Sequence, residues 1–207
     1  MSAARHFRLH RLLAATAVLL AFHRAAADEA AADGARLRDA LLREAEQPAK
    51  PAWRPMLRYL AELHGRSVFS ALAHFKYPYE SIGPGYQGGR VFGHIDLTHI
   101  RLDTVRARPD HVRNQIRNEL AGQQDDGLIP GIILFNAEGK PWWKNFKGFP
   151  PLWVVSVEAY MEQSGDTGFL AECLAALGNG HEPGEGSGTR ALVVGRDAAG
   201  TAVAAET

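Results

Sequence analysis

The spacing of apolar side chains is the feature that most constrains the fold, because they recur every three or four positions in short segments ended by Gly or Pro. This spacing is typical of amphipathic α-helices. Six helices are predicted, at residues 29–46, 53–64, 96–108, 110–120, 152–161 and 167–177. Short links between successive helices indicate antiparallel pairs, so the sequence predicts an all-α fold made of helical hairpins.

The first two predicted helices each carry an apolar stripe. The stripe residues are Leu37, Leu41 and Leu42 in the first helix and Leu57, Leu60 and Leu63 in the second. We predict that both stripes pack into the core rather than forming a groove for a partner. In the fourth helix, Asp110 is predicted as the N-cap, and the apolar positions that follow it are Val112, Ile116 and Leu120.

Two further elements follow the fourth helix. Residues 131–135 form a short apolar run that predicts an extended segment, closed by a turn at residues 136–139. Pro150 and Pro151 are predicted to open the fifth helix, because proline is tolerated in the first helical turn.

Three loop blocks lie between these helices, with the sequences YPYESIGPGYQGGRVFGHIDLTHI, AGQQDDGLIPG and FPPLW. The first block is rich in glycine and aromatic residues and places Asp96 at the start of a helix. A carboxylate accepts hydrogen bonds at two oxygens, an aromatic ring offers a flat apolar face, and glycine allows close approach of the backbone. This mixture is typical of a site that binds a sugar.

The three blocks, in this order, resemble six-hairpin glycoside hydrolases with an (α/α)6 toroid, particularly mannosyl-oligosaccharide glucosidases and mannosylglycerate or glucosylglycerate hydrolases. The resemblance covers roughly residues 77–173 and rests on three motifs, which are Ile95-Asp96, Gln124-x-Asp126-Gly127-x-Ile129-Pro130 and Pro150-Pro151. It implies hydrolysis of O-glycosidic bonds of glucosides or mannosides by inversion. Ile95 and Phe149 depart from the family pattern, where an aromatic residue and Gln or His are usual.

The resemblance also implies roles for individual residues. It makes Asp96 a substrate-binding residue, with a sugar as ligand. Tyr86, His94, Gln124, Trp142 and Trp143 complete the set of predicted substrate-binding residues. The family places its general acid and general base on later segments that have no counterpart here, so the catalytic residues are unknown. We therefore expect an incomplete barrel from a truncated or frame-shifted gene, inactive in hydrolysis when alone.

Other interpretations of these residues compete with sugar binding. An acidic residue in the first turn of a helix also complements the helix dipole, by about 0.3 to 1 kcal/mol. His94 and His99 flank Asp96, which suggests a metal site. On a helix only Asp96 and His99 share a face, and two ligands do not fill such a site. The pair Asp125 and Asp126 is interpreted as part of a turn rather than a catalytic pair. Gln124 fits a polar surface turn nearly as well.

Trp142 and Trp143 have two interpretations of equal weight. They lie in the segment before Pro150, which is predicted to be a loop. If exposed near a pocket, the two indole rings would form a platform on which a sugar stacks; if buried, they would fill core.

The two ends of the chain differ from its middle. Basic residues, the apolar run 12–22 and Ala25-Ala26-Ala27 predict a signal peptide at residues 1–27 and an exported, periplasmic or extracellular protein, with no membrane segment in the mature form. The apolar run is well below the roughly 20 residues that a transmembrane helix needs. Residues 28–177 form the predicted hydrolase-like domain, and residues 178–207 are predicted to be a disordered tail.

Charge and cysteine content exclude several functions. The chain has 23 Lys and Arg against 23 Asp and Glu, so nucleic acid is not an expected partner. The single cysteine, Cys173, is predicted to be a core residue, and no motif indicates a metal or a cofactor. A noncatalytic sugar-binding or protein-interaction module remains the alternative function, with self-association through helix faces that an incomplete barrel would expose.

Overall fold

The computed structural model describes residues 3–47, 50–71, 74–124, 128–145, 152–178, 192–196 and 202–206. Within these ranges the side chains of residues 3–17, 19, 87, 88, 145, 178, 192–196 and 202–206 are not described. The helices are α1 Ala3–Ala45, α2 Arg54–Arg66, α3 His94–Thr104, α4 Pro109–Leu120, α5 Trp153–Ser164 and α6 Phe169–Gly178. The strands are β1 Val68–Phe69, β2 Tyr79–Glu80, β3 Val91–Gly93, β4 Ile132–Phe135, β5 Pro141–Asn145, β6 Leu192–Arg196 and β7 Ala202–Glu206.

The molecule is mostly helical, as predicted, but the all-α prediction is wrong for the segments between helices. There β1 pairs with β2, and β3, β4 and β5 form a three-stranded antiparallel sheet in that order. These strands contain two to five residues, which is too short for a periodic pattern to reveal. Their β-branched and aromatic residues favour extended backbone. Residues 131–135 were predicted as extended, and β4 confirms this.

The first helical pair is brought together by two glycines. A Cβ added to Gly34 in α1 would lie 2.3 Å from the carbonyl oxygen of Gly65 in α2. The two backbones are therefore in direct contact, and no larger residue fits at this crossing without displacement. The α1 face on this side carries mainly small buried residues, which are Ala26, Ala30, Leu37 and Ala40.

The predicted apolar stripe of α2 is only partly buried, because Leu57 and Leu63 are half-buried and Leu60 is 36% exposed. Other apolar residues nearby are exposed, with Met56 at 52%, Tyr59 at 67% and Trp53, just before the helix, at 48%. Ala61 is the buried residue of this helix, because α1 covers the opposite side.

Helices α3 and α4 form the predicted antiparallel hairpin. His94 at the start of α3 bonds to Glu119 near the end of α4. The predicted N-cap is wrong, since Arg108 occupies that position and Asp110 lies inside the first turn, where it accepts hydrogen bonds from Arg108 at 2.6 and 2.7 Å. The predicted core positions of α4 are buried, with Val112 and Ile116 fully so.

Two apolar clusters make up most of the core. The larger joins α4, α5 and α6 and contains Val105, Val112, Ile116, Leu120, Trp153, Val157, Tyr160, Phe169 and Cys173. Cys173 is thus the core residue that the sequence predicts, and burial raises the pKa of its thiol to about 12. The second cluster lies around the central sheet and contains Ala71, Phe75, Tyr79, Phe92, Leu97, Ile133 and Phe135.

The two ends of the chain also carry secondary structure. Helix α1 runs without a break through residues 3–27, the segment predicted as a signal peptide, and cleavage stays a prediction. The tail was expected to be disordered, whereas β6 and β7 pair as an antiparallel hairpin; residues 179–191, 197–201 and 207 lie outside the described residues. In the part of the chain that is described, no helix is both long and apolar enough to cross a bilayer.

Candidate functional site

The three loop blocks meet at His94. Its backbone nitrogen donates to the carbonyl of Gly131, at the end of the second block, at 2.8 Å. Its side-chain Nε2 accepts a hydrogen bond of 3.2 Å from the backbone nitrogen of Leu152, in the third block. His94 itself belongs to the first block, so segments 58 residues apart in the chain converge on one side chain.

His94 is a positioning residue in this structure rather than the predicted sugar contact. It is 4% exposed, and both ring nitrogens have partners, Nδ1 with the Glu119 carboxylate and Nε2 with Leu152. Since Nε2 accepts from a backbone N–H, the partners assign the proton to Nδ1. A neutral ring in this orientation ties α3, α4 and the start of α5 together.

Glu119 is held by a second buried partner, the guanidinium of Arg101. Arg101 is 1% exposed, donates to the carbonyl of Gln115 at 3.3 Å and lies over the ring of Phe92 at 5.9 Å. Burial alone would raise the pKa of Glu119, but the charge of Arg101 and the hydrogen bond from His94 lower it. The carboxylate therefore stays ionised and keeps His94 in place.

Asp96 lies two residues beyond His94, exposed in the first turn of α3. A Cβ added to Gly93 would lie 3.4 Å from Oδ2 of Asp96, so the carboxylate sits against the backbone that leads into the helix. No hydrogen bond or ion pair joins it to another side chain of the described ranges. This position suits both a ligand that brings hydroxyl donors and the alternative role at the helix dipole.

Tyr86 and the tryptophan pair are exposed side chains in the neighbourhood of the sheet. Tyr86 is 54% exposed and stands in the 3-10 turn Tyr86–Gly89 that leads into β3. Trp142 is 63% exposed and Trp143 43% exposed, and both lie in β5 rather than in the predicted loop. Neither indole fills core, so of the two interpretations of the pair the buried one is wrong.

The sheet register relates the tryptophans to Asp96. Gly93, one residue before α3, pairs with Ile132, and Ile132 pairs with Asn145. Trp143 is therefore two residues from the end of the sheet at which α3 begins. Trp142 is an extra residue in β5, since Trp143 pairs with Leu134 and Pro141 with Phe135. Such a bulge interrupts the alternation of side chains along the strand.

Gln124 is the remaining predicted residue. Its side chain is half-buried, and its backbone nitrogen donates to the carbonyl of Leu128 at 2.9 Å. Leu128 is 45% exposed. Residues 125–127, including the predicted turn aspartates, lie outside the described residues.

A polar face of α4 holds the base of the first block. Asn118 donates to the carbonyl of Tyr77 at 3.0 Å, and Gln115 donates to that of Pro78 at 3.0 Å while accepting from the amide of Glu80 at 2.9 Å. Tyr79 adds a hydrogen bond of 3.1 Å to the carbonyl of Gly89. These contacts give the glycine-rich loop fixed ends.

The polar face of α4 is a feature that the sequence pattern did not predict. Its members are His111, Gln115, Asn118 and Glu119, spaced four, seven and eight residues from the first, and all are buried. That spacing is itself the signal that could have found them, because it places polar side chains on a single helix face beside the apolar one.

Among the described side chains, no group of three or more His, Cys, Asp or Glu is arranged to hold a metal ion. Comparison of the chain with family models, with curated proteins and with solved structures finds no match.

Proposed function

We propose that this chain is an exported carbohydrate-binding protein of glycoside hydrolase type, in which Asp96 accepts hydrogen bonds from sugar hydroxyls. The observation that carries the proposal is the convergence of the three loop blocks on His94, beside an exposed carboxylate without a protein partner in the described ranges. The exposed rings of Tyr86 and Trp143 supply apolar faces beside the sheet that leads into α3: Tyr86 lies just before β3, and Trp143 lies two residues from the row of Gly93. Carboxylate, aromatic rings and glycine-rich backbone together match the chemistry of a pyranose.

The proposed role is binding rather than hydrolysis. Inverting and retaining glycosidases both need two carboxyl groups that face each other across the bond, about 5 to 9.5 Å apart. The resemblance assigns Asp96 to neither of these roles. We therefore propose that the chain binds glucosides or mannosides without hydrolysing them. We also propose that its helical hairpins correspond to part of an (α/α)6 toroid.

Sugar titration of the purified protein tests this function. Glucose, mannose and glucosylglycerate are added while tryptophan fluorescence and backbone NMR shifts are recorded, since Trp142 and Trp143 are exposed in the sheet that leads into α3. We expect saturable shifts at Asp96 and Trp143 for at least one sugar, and a loss of affinity of about tenfold or more in Asp96→Asn, because a neutral amide replaces a charged acceptor.

Asp103→Asn is the matched control, because Asp103 is an exposed carboxylate on the same helix, beyond the last residue of the first block. It should leave sugar affinity unchanged. Two outcomes would overturn the proposal: no shift at any sugar concentration, or equal loss of affinity in both variants. Turnover of an aryl glycoside by the wild-type protein would show that the chain is a complete hydrolase instead.

Exposed apolar side chains at α2 favour a second candidate function, a protein-interaction module that self-associates. Met56, Tyr59 and Leu60 lie on one side of this helix and Trp53 lies just before it, and all four are exposed. Apolar side chains grouped in this way are typical of contact surfaces. Sedimentation velocity over a range of concentrations tests it: the wild type should form a dimer or larger species that Tyr59→Glu abolishes, whereas a monomer at all concentrations argues against it.

A further inference from the structure

A chain of four ionisable side chains, three of them buried and His64 partly buried, joins the α1–α2 hairpin to the rest of the molecule. Asp33 Oδ2 contacts His111 Nδ1 at 2.8 Å, and His111 Nε2 contacts Glu80 Oε2 at 3.2 Å. The other oxygen of Glu80 contacts His64 Nδ1 at 2.6 Å. Asp33 lies in α1 and His64 in α2, while His111 lies in α4 and Glu80 in β2.

The glycine crossing explains how the hairpin presents these two groups. Asp33 and His64 each directly precede one of the contacting glycines, Gly34 and Gly65. Because the two backbones touch at that point, the side chains just before them reach the same space between the hairpin and α4. Both links therefore cross the same junction.

The geometry requires a charged ring at His111. Each of its ring nitrogens faces a carboxylate oxygen, and an ionised carboxylate can only accept a hydrogen bond. A neutral imidazole donates at one nitrogen, so it would turn a lone pair toward either Asp33 or Glu80. His111 and Glu80 are both 1% exposed, so water cannot stabilise a carboxylate that faces the ring lone pair.

Further charges surround the chain from each packed element. Arg108, just before α4, and Arg36 in α1 each donate to Asp33 Oδ1 at 3.0 Å. Arg108 is itself neutralised by Asp110 in α4. Asp103 in α3 acts on His64 through its charge. After loss of the His111 proton, Arg36 and Arg108 still compensate Asp33, whereas Glu80 keeps His64 as its remaining partner.

Apolar packing at this junction is limited. The apolar cluster of α1 contains Ala30, Leu37 and Val68, with Leu41 packed against it, and all four belong to α1 or β1. The ion chain is therefore a main link from the hairpin to α4. We propose that the chain Asp33–His111–Glu80–His64 is a pH-sensitive latch that holds the α1–α2 hairpin on the body of the molecule and releases it in alkaline solution.

The direction of the pH effect follows from the pKa values. Burial lowers the pKa of His111, but the hydrogen bonds and charges of Asp33 and Glu80 outweigh it and raise the pKa to about 9 from 6.5. The same contacts outweigh burial at Glu80 and Asp33 and lower their pKa values. The contribution of His111 to docking of the hairpin is therefore fully present below pH 6.5, the ordinary pKa of the ring. It is lost as the pH rises through about 9.

Hydrogen exchange of the full-length protein tests the latch. Exchange is compared at about pH 7 and about pH 10, with rates corrected for the intrinsic effect of base. We expect protection in α1 and α2 to fall by about tenfold or more, while protection in α5 and α6 is retained, because the latch touches neither. Equal loss in all four helices, or none in α1 and α2, would overturn the proposal.

Asp33→Asn sharpens the test, because an amide no longer favours the charged form of His111. The variant should release the hairpin at a pH lower by about one unit or more. Asp39→Asn, at an exposed surface pair in the same helix, should keep the wild-type midpoint. Should Asp33→Asn fail to fold, a histidine NMR titration of the wild type decides: His111 must be charged at neutral pH, and a neutral ring there contradicts the latch.

Discussion

The backbone amide of Leu152 donates a hydrogen bond of 3.2 Å to Nε2 of His94, although 58 residues separate them. The bond joins the segment before α5 to the start of α3. On its other side the same ring is held by Glu119. The geometry of the candidate site therefore depends on a side chain that no ligand can reach.

Replacing His94 with alanine should destabilise the fold. Glu119 would lose one of its buried partners, and such a loss costs about 1 to 3 kcal/mol or more for a charged group. Urea unfolding followed by circular dichroism measures the change. His99→Ala, at an exposed position of the same helix, should behave like the wild type, and equal effects of the two substitutions would contradict the assignment.

Gly34→Ala should separate α1 from α2. Alanine normally favours a helix over glycine by about 1 kcal/mol, so a stability gain is the expectation for an open position. Here the new Cβ would lie 2.3 Å from the Gly65 carbonyl, so we expect a net loss of about 1 to 3 kcal/mol instead. Gly85→Ala is the control, because a Cβ there has nothing within 4 Å. Thermal unfolding measures both variants: the melting temperature should fall in Gly34→Ala and stay near the wild-type value in Gly85→Ala.

Ile116→Ala should lower the free energy of unfolding by about 2 to 5 kcal/mol, because it opens a cavity in the cluster between α4, α5 and α6. Leu102→Ala removes a comparable side chain that is 40% exposed, and it should cost far less. Chemical denaturation measures both. Similar losses would mean that α4 does not pack as described.

Acid should weaken the contact between α3 and α4. The pKa of Glu119 is lowered in the folded protein, so its contribution is present above the unfolded value and is lost as the pH falls through the folded one. Glu119→Gln should flatten this part of the stability profile while lowering stability at neutral pH, because Arg101 then faces a neutral partner. Unfolding free energies measured from neutral to acidic pH test this, and an unchanged slope in the variant would refute it.

The local sequence pattern predicted much of the helical structure, and it also predicted the turn at residues 136–139. There Asn136 accepts hydrogen bonds from the amides of Glu138 and Lys140 at 3.1 and 2.8 Å, and Gly139 has a φ of 72°. Asn and Gly favour such turns through their own side chain and backbone, so four residues are enough to predict one. Apart from β4, the short strands between the helices were not predicted, because two to five residues show no period.

The sequence by itself determined where α4 lies and which of its apolar residues, Val112 and Ile116, are buried, because helical periodicity is a property of neighbouring residues. Only the tertiary structure decided the role of its polar residues. His111 finds Asp33 across 78 positions of sequence, and Glu119 finds His94 across 25. Partners so distant are chosen by packing, and burial without water makes each pairing obligatory. Exposure of Asp96 was decided in the same way, because apolar residues occur on both sides of α3: Ile95 and Leu102 are exposed, whereas Leu97 is buried.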